Sequence, residues 1–232
     1  MGRLVPGDIV LNELNNDEER EVVEAFVESL SDGWFVLPSV RISDWRDYEL
    51  DIVLVHANYG VAVVEVKGHT PVIREGRFYS NGALMNPQPD EQASKNSHQL
   101  ATRIRAVVDD QHFSVAYAVA FPNVAVRSRV LPTSLRREQF LTKAELDDPT
   151  EAIEALFRTK HQAGPGPVAT AAIMQLLAPD IDLTPDPEMR GRYARKQLAR
   201  ISANHVRALE SLDINRRVFV DRKSTRLNSS HT

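Results

Sequence analysis

Residues 48–68 read YELDIVLVHANYGVAVVEVKG, and their reading decides how the rest of the chain is arranged. Two apolar runs, IVLV at 52–55 and VAVV at 61–64, are joined by a short polar stretch ending in Asn58, Tyr59 and Gly60. That pattern predicts two strands, 48–57 and 61–68, paired as a hairpin. Charges sit where a buried strand should have none: Asp51 precedes the first run, and Glu65 and Lys67 follow the second. In an extended chain residues i and i+2 share a face, so Glu65 and Lys67 lie on one side and Val64 and Val66 on the other. The hairpin brings Asp51 towards Glu65. Two carboxylates in apolar surroundings repel, which raises one pKa and destabilises the fold. A divalent cation between them removes the conflict. Magnesium favours carboxylate and carbonyl oxygens and keeps several waters, which suits phosphodiester hydrolysis. Lys67 is then placed to hold or deprotonate the attacking water, or to stabilise charge on the phosphate. The bland alternative for Glu-x-Lys, a surface ion pair at a strand end, stays open at this point.

Working outwards, DEEREVVEAFVESLS (17–31) spaces Val22, Val23, Phe26, Val27 and Leu30 as one helical face, with Asn16 or Asp17 as cap. WFVLPSVRI (34–42) reads as a strand bent at Pro38. Downstream come short strands around 72–74 and 77–79, a helix at 91–110, and an almost wholly apolar strand at 115–123 of the kind expected in a sheet covered on both faces. The order predicts an α/β fold with a central mixed sheet flanked by helices. Residues 136–163 look helical. The proline-rich 164–188 reads as a linker flanking one short helix, followed by the basic RGRYARKQLAR at 190–200.

Composition narrows the classes of function. The 232 residues are 42% hydrophobic, enough for a sizeable core, and the net charge of −4 leaves no bulk basic footprint for nucleic acid. With no cysteine, disulfides and cysteine-ligated metal centres are excluded. The N-terminus lacks the basic-then-apolar order of a signal peptide, and no window approaches the ~18 apolar residues of a membrane span, so a cytoplasmic location is expected. There is no HExxH and no G-x-S-x-G elbow.

An acid followed later by acid-x-Lys on a strand is the pattern of the PD-(D/E)xK nucleases. Over about residues 15–125 the chain resembles the nuclease-related domain, or NERD, family. The resemblance is carried by EEREVVEAF (18–26), YELDIVLVHANYGVAVVEVKG (48–68), NPQPDEQA (86–93) and AVAFP (118–122). It implies a restriction-endonuclease-like core and a magnesium- or manganese-dependent site acting on DNA. By matching positions, Asp51 and Glu65 become metal ligands, joined by Val66, and Lys67 the catalytic lysine. Glu19 matches an acid of the first helix, and Gln92 the glutamine that opens the second. Each has a plainer reading: Glu19 lies among four acids within residues 17–21, and glutamine is common at helix starts. His69 adjoins the site as a lone histidine. A non-catalytic nucleic-acid-binding or docking module with the same fold is the alternative function.

Residues 201–221, ISANHVRALESLDINRRVFVD, resemble the entry to the motor domain of UvrD/Rep-type helicases, to which such nuclease-related domains are often fused. The phosphate loop that should follow is absent, so this chain is not expected to hydrolyse ATP. The closing RKSTRLNSSHT resembles adaptor-derived sequence. The expected organisation is therefore a nuclease-like domain with a helical extension (1–163), a linker (164–200), the start of a helicase motor (201–221) and a non-native tail (222–232).

Overall fold

The computed structural model describes residues 1–7, 11, 14, 16–43, 47–125, 131–158, 163–180, 195–203 and 207. Two units are distinguished, Met1–Asp180 and Ile181–Thr232. In the second, residues 195–203 and 207 are helical. The expected strand at 216–220, most of the helix at 202–212 and the tail at 222–232 lie outside the described residues.

The first unit is a mixed α/β fold whose central six-stranded sheet runs β1 (Arg3–Leu4), β2 (Phe35–Ser43), β3 (Asp47–His56), β4 (Gly60–Val66), β8 (Ala116–Phe121) and β9 (Phe140–Thr142). The hairpin β3–β4 is antiparallel, with Ile52 facing Val64 and His56 facing Gly60. Strand β4 is buried along its whole length because β8 pairs with its other edge, in parallel, and helices cover both faces. Even positions of the hairpin (Ile52, Leu54, Ala62, Val64) enter the core shared with α1 (Asp17–Ser29) and α4 (Pro149–Arg158). Odd positions (Val53, Val55, Val61, Val63) enter the core shared with α2 (Pro89–Val108) and α5 (Gly166–Leu177). A second sheet of β5 (Val72–Arg74), β6 (Arg77–Ser80) and β7 (Ala83–Leu84) closes on the main one through Phe78, which stacks with Phe121 and Phe140.

Alternation breaks at one place. Leu37 and Val40 of β2, three residues apart, both enter the α2-side core, as do Leu50 and Val53 of β3. Between the pairs Pro38–Ile52 and Val40–Leu50 lie Ser39 and Asp51, and Ser39 has φ 49. This left-handed residue, unfavourable for a side chain other than glycine, turns both strands over together. The bend expected at Pro38 thus sits one residue later, and it opens the end of the sheet where Asp51 lies.

Two expectations are revised. The segment 136–163 is not simply helical: Phe140–Thr142 adds an edge strand parallel to β8, before α3 (Lys143–Asp147) and α4. The short helix expected within 164–188 is α5, but it belongs to the domain rather than to a linker, with Ile173 fully buried in the α2-side core. Pro167 near the start of that helix takes a position where the missing N–H costs nothing. Among the described residues no helix is long and apolar enough to cross a membrane.

Candidate active site

The hairpin ladder stops one step short of Asp51 and Glu65. Beyond it, the N–H of Val66 donates to Asp51 Oδ2 at 2.7 Å, so the side chain takes the place of the missing strand. Glu65, 1% exposed, follows the odd-position alternation and points towards α2. Its Oε1 accepts from Lys67 Nζ at 2.6 Å and its Oε2 from Asn96 Nδ2 at 3.3 Å. Lys67 Nζ also reaches Gln92 Oε1 at 3.4 Å. Gln92 and Asn96 are one helical turn apart on α2, which places both side chains on the face that meets β4. Glu19, in the first turn of α1, accepts from Asn16 Nδ2 at 3.3 Å, while Asn16 caps the helix by accepting from the N–H of Glu18. A cleft of about 620 Å³ opens between the starts of the two helices, lined by Glu19, Tyr48, Asp51, Gln92, Lys95 and Asn96 among others.

Close packing holds the strand against α1. A Cβ on Gly68 would fall 2.4 Å from the carboxyl carbon of Glu18, whose flexible side chain would have to move aside. The Gly68 carbonyl accepts from Asn123 Nδ2 at 3.0 Å, and the N–H of Lys67 donates to the Ala120 carbonyl at 2.9 Å.

The acids perturb one another. Burial pushes Glu65 up to about 7, the Asp51 charge adds to the rise, and the Lys67 ammonium offsets only part of it. Asp51 is raised by burial, with the Val66 N–H and Lys67 pulling back. Glu19 is raised by burial and then by the charge of Asp51.

Glu19, Asp51 and Gln92 thus line one cleft, and Glu65 and Lys67 lie behind its wall, bonded to Asn96 and Gln92. Val66 is buried and has committed its N–H, so it has only its carbonyl to offer a metal. His69 is exposed and does not line the cleft. Asn96 was not singled out from the sequence, although a signal was there: it occupies the apolar stripe of α2 between Ala93 and Leu100, where a buried polar group needs a partner. Among the described residues no three His, Cys, Asp or Glu side chains are gathered closely enough to hold a metal by themselves. Two carboxylates that repel in a buried setting, with a carbonyl alongside, fit an oxygen-seeking cation that retains waters, which is the habit of magnesium.

Comparison with curated proteins found no match, and comparison with solved structures found none. The nuclease-related domain (NERD) family model matches residues 14–127, a span that contains the hairpin, the cleft and the starts of both flanking helices. Over those residues, the chain belongs to the nuclease-related domain family.

Proposed function

We propose that the cleft hydrolyses DNA phosphodiesters with the help of magnesium or manganese. The observation that carries this reading is the Glu65–Lys67 pair set beside Asp51 at the wall of the cleft, at a burial that pushes Glu65 up to about 7. Such mutual repulsion is retained in a fold where something relieves it. A divalent ion held by Asp51, Glu65 and the Val66 carbonyl would supply an acidified water and neutralise charge on the phosphate. Lys67 Nζ, held by Glu65 and steadied by Gln92, orients water or stabilises developing charge. Asn96 fixes Glu65 from the other oxygen. Glu19 faces Asp51 from α1 and adds a further acceptor to the cleft wall.

The test is cleavage of labelled single- and double-stranded DNA in magnesium, manganese, calcium and chelator. Cleavage should require magnesium or manganese, since the looser coordination of calcium gives a less acidified water. Full cleavage by Lys67→Ala would overturn the assigned mechanism.

A second reading, a nucleic-acid-binding module without cleavage, is favoured by the direct Lys67–Glu65 pair, which leaves the lysine already partnered. It expects binding in every buffer and cleavage in none. The place of the domain at the front of a DNA-processing helicase is supported by the resemblance of residues 201–221 alone.

A further inference from the structure

The candidate cleft has too little positive charge to draw a polyanion to itself. Glu19, Glu49, Asp51 and Glu91 line it, and Lys95 is the one cation among the described residues of its wall. A divalent ion would offset only part of that charge. Attraction at a distance must then come from elsewhere in the chain.

Charge of the right sign collects at residues 190–207. Six of the 28 Lys and Arg residues fall within this stretch and none of the 32 Asp and Glu, so it carries +6 while the rest of the chain carries −10. The net charge of −4 is thus a difference between two unlike parts. Within the stretch, residues 195–203 and 207 are helical, and Arg195, Lys196, Arg200 and Arg207 are all exposed. Lys196 and Arg200 are one helical turn apart and share a side, whereas Leu198 and Ile201, 63% and 50% exposed, share another. Among the described residues neither Lys196 nor Arg200 forms an ion pair. Like charges at i and i+4 destabilise a helix, and an anionic partner removes that cost.

We propose that this basic helix binds the phosphate backbone of nucleic acid without regard to sequence. Charge complementarity selects the occupant: a helix with four exposed cations, in a stretch that holds no acid, suits the repeating charge of phosphodiesters. A helix that lies in a lipid interface presents a broad apolar face with aromatic residues, and residues 195–203 offer two large aliphatic side chains and no ring. Two such side chains are also too little for the apolar centre of a protein interface. Lys196 and Arg200 act as charges on the backbone, which position a nucleic acid and carry no sequence information. The choice of nucleic acid as partner rests on the reading of the cleft, but its test does not require cleavage.

The experiment uses the full chain in chelator, with fluorescence anisotropy of labelled DNA of about 20 nucleotides, duplex and single strand, in two unrelated sequences across a salt series. Lys196→Ala/Arg200→Ala should weaken binding about tenfold or more at low salt, equally for both sequences. It should also reduce the slope of log affinity against log salt by about 1.8 on the duplex or about 1.4 on the single strand. Lys196→Arg/Arg200→Lys should bind as the wild type does, because charge alone is read. Leu198→Ser/Ile201→Ser should leave DNA binding unchanged, and vesicles of phosphatidylserine and phosphatidylcholine should not retain the wild type. Alanine favours helix, and circular dichroism of each variant checks that the fold is kept. No binding by the wild type, unchanged affinity and salt slope in the alanine variant, or a loss on one sequence only would overturn the proposal. Vesicle binding that Leu198→Ser/Ile201→Ser abolishes would overturn it in favour of a membrane surface. If the wild type binds through Lys196 and Arg200 but does not cleave in magnesium, the helix stands and the nuclease reading falls. If it cleaves and the alanine variant cleaves with the same KM, the reverse holds.

Discussion

The β3–β4 hairpin buries an ionisable side chain at each end, and the two ends are solved differently. At the turn, His56 is 8% exposed and packed against Trp34 and Tyr59, with ring centroids 4.8 and 4.9 Å away. Its Nδ1 accepts from the N–H of Asn58, and burial pushes its pKa down, towards the neutral form that the pocket tolerates. At the open end, Glu65 is more deeply buried, and its strongest electrostatic neighbour, Asp51, carries the same sign of charge. One end is balanced by a histidine that sheds its charge. The other is balanced only when a proton or a cation is added. The lesson is that burial alone does not mark function; burial beside a like charge does.

The largest expected effect breaks the comparison at the open end. Lys67→Ala should lower cleavage by about 10²–10³-fold, the usual cost of removing a donor that stabilises developing charge. Calorimetric magnesium titration should show that metal binding survives. Were the pair structural, the variant would instead lose about 3–5 kcal/mol of stability, read as a lower melting temperature.

At the turn end the prediction is reversed. Trp34→Ala should destabilise the fold by about 3–5 kcal/mol, because a fully buried ring is removed from its stacked partner Tyr59. The stabilisation gained on adding magnesium should not change.

The third prediction concerns pH. Glu65 has a folded pKa near 7 against an ordinary value of 4.5. The folded state binds the proton more tightly, so this contribution is complete below about pH 4.5 and is lost as pH rises through 7. The loss is on the order of 3 kcal/mol for the coupled site. Metal-free Glu65→Gln should therefore melt higher than wild type at pH 8, with the gap closing towards pH 5. Saturating magnesium should reverse the order at pH 8.

His56 gives the smallest effect and the opposite sign. Its folded pKa lies below 6.5, so its contribution is present above that value and fades as pH falls through the folded pKa. The stability difference between wild type and His56→Gln should shrink below pH 6.5. A difference that grew on acidification would show that His56 is charged in the fold.

Much of this was legible in the sequence where pattern and chemistry are dense. The run 48–68 gave the hairpin, its pairing and the acids, because uninterrupted apolar residues are punctuated by charges that have no other reason to be there. Strand β9 was hidden, since three residues are too few to show a period and its pairing to β8 is set by the tertiary fold. The docking of α5 into the core was hidden by its prolines, which read as a linker but here precede or open the helix. Within the site, Asn96 escaped notice because its role depends on the way α2 is rotated against β4. The flip at Ser39 had no signature at all: serine carries no mark of a left-handed backbone.

The N–H of Lys67 and the carbonyl of Gly68 are both anchored to chain made much later, at Ala120 and Asn123. During synthesis the strand bearing Glu65 and Lys67 leaves the ribosome well before the segment that holds it in place, and α2 with its Gln92 and Asn96 emerges in between. An incomplete chain ending at residue 115 would carry every acid of the cleft and neither anchor. On the reading proposed above, the strand that bears Glu65 and Lys67 is therefore held in its working position only once the anchoring strand has been made and docked.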